Sequence, residues 1–207
     1  MEVNFPFCMK FVFAREGGYV DNPADPGGAT NLGVTFATLK AWRKTSITKQ
    51  DVKDLTKEEA TAIYHAWYWS DAWCEALPPG VDLLTYDVAV NAGVGRALDF
   101  LKLELGLPLH AGKQHYPAHR NRADPKMPFV FEALMTRTPQ DLVAGLCERR
   151  RHFYRSLSTF HTFGVGWLRR VDQAERVALQ LCNVNGLSTQ WRLNQASRAD
   201  AHWVSPA

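Results

Sequence analysis

The stretch from Glu16 to Gly33, EGGYVDNPADPGGATNLG, constrains the fold of this chain more than any other. Gly17-Gly18, Pro23, Pro26 and Gly27-Gly28 exclude a regular helix there, since glycine loses the most entropy on ordering and proline lacks the amide hydrogen a helix uses. The residues before it have helical spacing. Phe7 and Phe11, then Cys8 and Val12, fall four apart and predict one apolar helix face. Gly17-Gly18 is a pair suited to a left-handed helix cap, which puts Glu16 in the last turn. An irregular loop or a short β-hairpin lying on the core is expected to follow.

The remainder reads as helices. Thr35 caps a short helix through Trp42, and Thr56-x-x-Glu59 is a capping-box pattern for the next, where Ala60, Ile63, Tyr64 and Trp67 recur at helical spacing. The aromatic cluster Trp67, Tyr68, Trp69 and Trp73 stops at Leu77-Pro78-Pro79-Gly80. Val81 to Ala92 reads as a central helix, apolar on several sides, and Val94, Ala97, Leu98, Leu101 and Leu105 form another stripe. Residues 107–137, rich in Pro, His and Arg, show no regular element. Thr138-x-x-Asp141 restarts helix, Gly164 and Gly166 mark a turn, and Trp167, Val171, Ala174, Ala178 and Leu181 form the last stripe. The fold class is therefore mainly α.

With 207 residues, 46% of them hydrophobic, the chain can bury a substantial core. It contains no apolar run approaching the roughly 18 residues a spanning helix needs. In MEVNFPFCMKFVFAREGG, Lys10 interrupts the apolar run, no basic residues precede it and no small-residue cleavage site follows, so the start reads as a helix and not as a signal peptide. A cytoplasmic origin follows as the expectation. Cys8, Cys74, Cys147 and Cys182 lie far apart and form no CxxC pair, which argues for reduced, buried thiols. The charge is uneven: 10 basic and 14 acidic residues up to Leu105, against 14 basic and 7 acidic from Gly106. The second half is where an anionic partner would be sought. The run Arg149-Arg150-Arg151, with Arg155, Arg169 and Arg170, carries no nucleic-acid fold signature and reads as a solvated basic face or a docking surface for anionic wall polymer. His115 and His119 are four apart, but Pro117 lies between them and no HExxH accompanies them or His110, so no metal is expected. No other cofactor is implied.

The opening stretch carries the chemistry. Glycoside cleavage commonly pairs a carboxyl that stays protonated with a second group that activates water or attacks the sugar. Glu16 suits the first role, because the negative end of a helix and aromatic surroundings both disfavour a carboxylate. Asp25 suits the second, with Thr30 placed to orient a water, and Asp21 competes with Asp25. Tyr19, Asn31, Trp69 and Asn91 are the candidates for substrate contact; Trp69 is preferred as a sugar platform because Trp67 and Tyr68 better match the buried stripe.

The block EGGYVDNPADPGGATNLGVT, the later YDVAVNAGVGRAL and the run FGVGWLRRV together resemble the N-acetylmuramidases of glycoside hydrolase family 108, known from phage endolysins and secretion-linked muramidases. The resemblance implies a lysozyme-like helical fold, Glu16 of the EGGY motif as catalytic acid, and cleavage of the β-1,4 bond between N-acetylmuramic acid and N-acetylglucosamine. The order Glu16, Asp25, Thr30 is also similar to the triad of phage-type lysozymes, with one residue fewer between the last two. The implied organisation is a catalytic part over 1–90, a helical part resembling a peptidoglycan-binding module over 91–184, beginning near Asp87 and Asn91, and a tail over 185–207. Residues 107–137 lack the Asp-Gly and Gly-Pro turns such a module carries. The implied partners of this monomer are peptidoglycan glycan strands in the periplasm and a holin or secretion component for membrane passage. A non-catalytic wall-binding or secretion-accessory protein of the same fold is the other reading, and a stem-peptide amidase or peptidase a third.

Overall fold

A computed structural model describes residues 2–21, 28–109 and 127–184, together with 186, 188, 191 and 193. Asp25, the three histidines at 110, 115 and 119, and most of the tail lie outside the described residues. Among the described residues the chain forms α1 (Phe5–Phe13), β1 (Thr30–Asn31), β2 (Val34–Thr35), α2 (Phe36–Arg43), α3 (Lys49–Lys53), α4 (Lys57–Tyr64), α5 (Val81–Ala92), α6 (Val94–Glu104), α7 (Met127–Met135), α8 (Pro139–Arg155) and α9 (Phe160–Cys182). The mainly α, lysozyme-like class holds, with one small antiparallel hairpin after the first helix.

Helix starts follow the capping residues. The hydroxyls of Thr35, Thr56 and Thr138 accept from the backbone amides of Thr38, Glu59 and Asp141, satisfying amides that have no intrahelical partner. α5 is the central rod: every side chain from Val81 to Ala89 is buried, and it packs against α1, α6, α8 and α9. One continuous cluster of buried side chains joins Cys8 and Val12 of α1 to Val171, Ala174 and Ala178 of α9. All four cysteines are buried within this cluster. Burial pushes the Cys147 thiol up to about 12 and that of Cys182 to about 11, so neither supplies a thiolate at neutral pH.

Several features depart from expectation. α1 ends at Phe13; Arg15 and Glu16 follow in a tighter turn, their amides bonded to the carbonyls of Val12 and Phe13. Neither Gly17 nor Gly18 takes up the positive φ of a left-handed cap, and Phe7 is exposed although Phe11 is buried. The segment 107–137 contains α7, anchored by Val130 and Leu134, an i,i+4 pair hidden within a Pro- and His-rich composition. Gly164 and Gly166 do not break α9. A Cβ on Gly164 would come within 2.5 Å of the Phe160 ring, so this glycine makes room for an aromatic one turn earlier. Trp191, in the weakly patterned tail, is buried and its indole donates to the Ala76 carbonyl at 2.8 Å.

Candidate active site

The hairpin shapes the floor of the site. Asn31 pairs with Val34 and Thr30 with Thr35, which leaves Leu32 and Gly33 as the two turn residues. Both have positive φ, 50° and 74°, as a type I′ turn requires. Gly33 is needed for a second reason: a Cβ there would lie 2.2 Å from the Tyr64 hydroxyl and 2.6 Å from Oε2 of Glu16. The turn backbone thus closes directly over the Glu16 carboxyl. Tyr64 Oη donates to the Leu32 carbonyl at 3.1 Å, tying the turn to α4. α4 continues as a π-helical stretch, His65–Ser70, a form frequent at functional sites, and Tyr64 and Tyr68 lie four apart along it.

Glu16 is half-buried in this setting. Burial raises its carboxyl above the ordinary range; the positive charge of Arg170 opposes the shift and the negative charge of Asp87 adds to it. Burial, and after it the nearby Glu16 carboxyl, raises the Tyr64 and Tyr68 phenols, so both rings stay neutral. Arg15 fixes the segment carrying Glu16, its guanidinium reaching the Phe11 carbonyl and, at 3.0 Å, Gln173 Oε1 on α9.

Behind Glu16 lies a charged layer. Asp87, fully buried on α5, accepts from Arg150 Nη1 of α8 at 2.5 Å and from Arg170 Nη2 of α9 at 2.7 Å. Burial alone would raise Asp87, but the two guanidiniums outweigh it and hold the carboxyl below the usual range. An acid in the apolar run VDLLTYDVAVNA must find such partners, and that is the signal by which sequence could have located this layer.

The remaining candidates fall into two groups. Thr30 sits in the hairpin, bridged to Val20, and its hydroxyl donates to the Gly28 carbonyl at 3.3 Å. Tyr19 is exposed at the edge of the loop, with Lys53 Nζ 5.9 Å from its ring centroid. Asn91 is exposed and its Oδ1 accepts from Tyr154 Oη at 3.0 Å. Asp21 is ion-paired to Lys49 at 2.9 Å. Trp69 and Asn31, in contrast, belong to the scaffold. Trp69 is 0% exposed, packed edge-on against Phe5 and Tyr86, and has no face to offer a sugar; Trp67 and Tyr68 are the half-buried pair, the reverse of the expectation. A π-helical turn displaces side chains from simple i,i+4 spacing, which is why the stripe misassigned them. Asn31 is buried and its amide donates to the carbonyls of Val52 and Lys53 at 3.1 and 3.0 Å, anchoring the hairpin to α3. The arginine run is likewise structural: Arg149 pairs with Glu104, Arg150 with Asp87, and Arg151 with Glu148, Asp172 and Glu175. Their charge is spent inside the fold.

Comparison with known proteins places this geometry. The glycosyl hydrolase 108 family model matches residues 9–93. Among solved structures, that of SagA from Brucella abortus is 36% identical, with a TM-score of 0.74, and the match covers 90% of this chain and 100% of that one. The chain belongs to glycosyl hydrolase family 108. It is accordingly a glycoside hydrolase acting on peptidoglycan. No curated protein matches it. In this family 108 hydrolase the matched span contains Glu16, the hairpin, Tyr64, Tyr68 and Asp87, whereas Arg150 and Arg170 lie beyond it. No described helix is long and apolar enough to cross a membrane.

Proposed function

We propose that the protein is an N-acetylmuramidase that cleaves the β-1,4 bond between N-acetylmuramic acid and N-acetylglucosamine, with Glu16 as general acid. In this reading the Glu16 proton passes to the leaving glycosidic oxygen as the C–O bond breaks, and a second group either activates a water or attacks the anomeric carbon. Asp25 is the candidate for that second role, with Thr30 orienting the water. The observation that carries the reading is the half-buried Glu16 carboxyl, enclosed by the Gly33 turn and the Tyr64 hydroxyl, with its proton affinity raised by burial. A general acid needs this environment. The enzyme would work on glycan strands in the periplasm, in phage lysis or in muramidase-dependent secretion, and reach them through a holin or secretion component.

Digestion of purified sacculi tests the assignment. Soluble fragments with new muramic acid reducing ends are expected; new glucosamine reducing ends would overturn the bond assignment, and new amino groups would point to a stem-peptide hydrolase. Glu16→Gln should abolish the release while leaving the fold intact. Lysis that survives this change removes Glu16 from the mechanism.

A further inference from the structure

α5, α8 and α9 each contribute one residue to two successive layers beside Glu16. The inner layer is Asp87, Arg150 and Arg170. One helical turn further along the same three helices stand Asn91, Tyr154 and Trp167, at i+4, i+4 and i−3 from their inner partners. These three are also joined: Tyr154 Oη donates to Asn91 Oδ1 at 3.0 Å, and the Tyr154 and Trp167 rings lie 5.2 Å apart at 32°. A further turn out, the Phe163 ring lies 5.7 Å from Trp167. This aromatic ladder runs outward from buried Tyr154 through half-buried Trp167 to Phe163, which is 53% exposed.

The exposed end of the ladder has the chemistry of a saccharide site. A pyranose ring presents an apolar C–H face and a rim of hydroxyls, and pairs with an aromatic surface flanked by an amide. With its Oδ1 engaged by Tyr154, exposed Asn91 still has two N–H donors on Nδ2 for sugar oxygens. The ladder also has the right continuity. Gln173 of α9 holds Arg15 next to Glu16, Arg170 stands near the acid, and Trp167 and Phe163 follow on the same helix stripe. From Arg170 to Phe163 is seven residues, about 10 Å along the axis, leading away from the catalytic carboxyl.

We infer that Phe163, the uncovered part of Trp167 and Asn91 form a saccharide-binding subsite that holds the glycan strand beyond the bond being cut. This rests on the reading of the protein as a glycan-strand hydrolase and specifies where the strand runs.

The test uses the full chain with Glu16→Gln, sedimented with purified sacculi. Adding Phe163→Ala, or Asn91→Asp, which keeps the acceptor for Tyr154 and removes the donor, should weaken retention about threefold to tenfold. In the active chain the same changes should raise KM with kcat held within about twofold, and Trp167→Phe should keep most of the affinity. Unaltered melting temperatures would show that the variants fold. Retention of both variants like the parent overturns the subsite, as does a fall in kcat at constant KM, or a Phe163→Ala effect that proves to be loss of a dimer. If the unmodified chain releases no reducing ends, the hydrolase reading fails, while sedimentation still decides the subsite.

Discussion

Glu16 and Asp87 are two carboxyls within electrostatic reach of each other, both withdrawn from water, with proton affinities pushed in opposite directions. Glu16 lies in the irregular turn after α1, under a glycine backbone and beside two neutral phenols. Asp87 sits in the middle of the central helix with two guanidiniums bonded to its oxygens. Burial raises both. Only Asp87 has cations hydrogen-bonded to it directly, and that reverses the outcome. The direction of each shift is set by what the neighbouring helices supply, not by depth alone. One carboxyl has its proton affinity raised, as the proposed general acid requires, and the other is held ionised as part of the scaffold.

The largest effect should come from Glu16→Gln, which leaves the shape and removes the proton: reducing-end release from sacculi should fall about 10³-fold. Its effect on stability has the opposite sign. Because the folded-state pKa of Glu16 is raised, its contribution is present below the unfolded value of about 4.3 and lost as pH rises through the folded value. The variant should therefore melt higher than the parent at pH 7, with the gap closing near pH 4. Equal melting curves at pH 7 would show that Glu16 is not desolvated.

Asp87→Asn should be the most damaging change to the fold, about 3–5 kcal/mol in denaturant unfolding, because it leaves the buried guanidinium of Arg150 without its counter-charge. The depressed pKa of Asp87 means that its stabilisation is present above about 3.9, the unfolded value, and is lost as pH falls further. A stable variant would break the contrast between scaffold acid and proposed general acid.

Gly33→Ala places a Cβ against Tyr64 and Glu16 at positive φ. A loss of about 1–3 kcal/mol is expected, with a fall in kcat of about tenfold to a hundredfold as Glu16 is displaced. Tyr64→Phe should relieve part of the clash, and no relief would mean that backbone conformation alone is responsible.

The smallest change sharpens the comparison. With Glu16 as the proposed general acid, activity should decline as pH rises through its pKa, since the ionised form has no proton to donate. Arg170 lowers that pKa, so Arg170→Gln should move the alkaline limb of the pH–rate profile to higher pH, and Arg170→Lys should leave it near its original place. A limb that moves down, or moves equally with Lys, would remove Arg170 from the electrostatics of the acid.

Much of this was legible in the sequence because it depended on local chemistry. Threonine caps, the bounds of α5, the apolar stripe of α9 and a hairpin after the first helix follow from periodicity and turn residues within a few positions of each other. The turn that carries Glu16 was legible for the same reason, sitting between an apolar helix and a glycine pair. Periodicity failed where geometry departed from the ideal repeat: the π-helical turn exchanged the roles of Trp69 and Trp67, and the long α9 carried two glycines without breaking.

What the tertiary structure alone decided was partnership. The arginines at 149–151 read as an open basic face, yet each meets a carboxylate brought by another helix or by the next turn of its own. Asn31 read as a substrate contact and proved to be an anchor for the hairpin. The pairings between elements join residues 21 to 83 positions apart, and a single sequence carries no measure of which distant charges will be brought within hydrogen-bond range. The residues that can hold a proton are written locally; the pKa each one ends with is set by contacts that only packing creates.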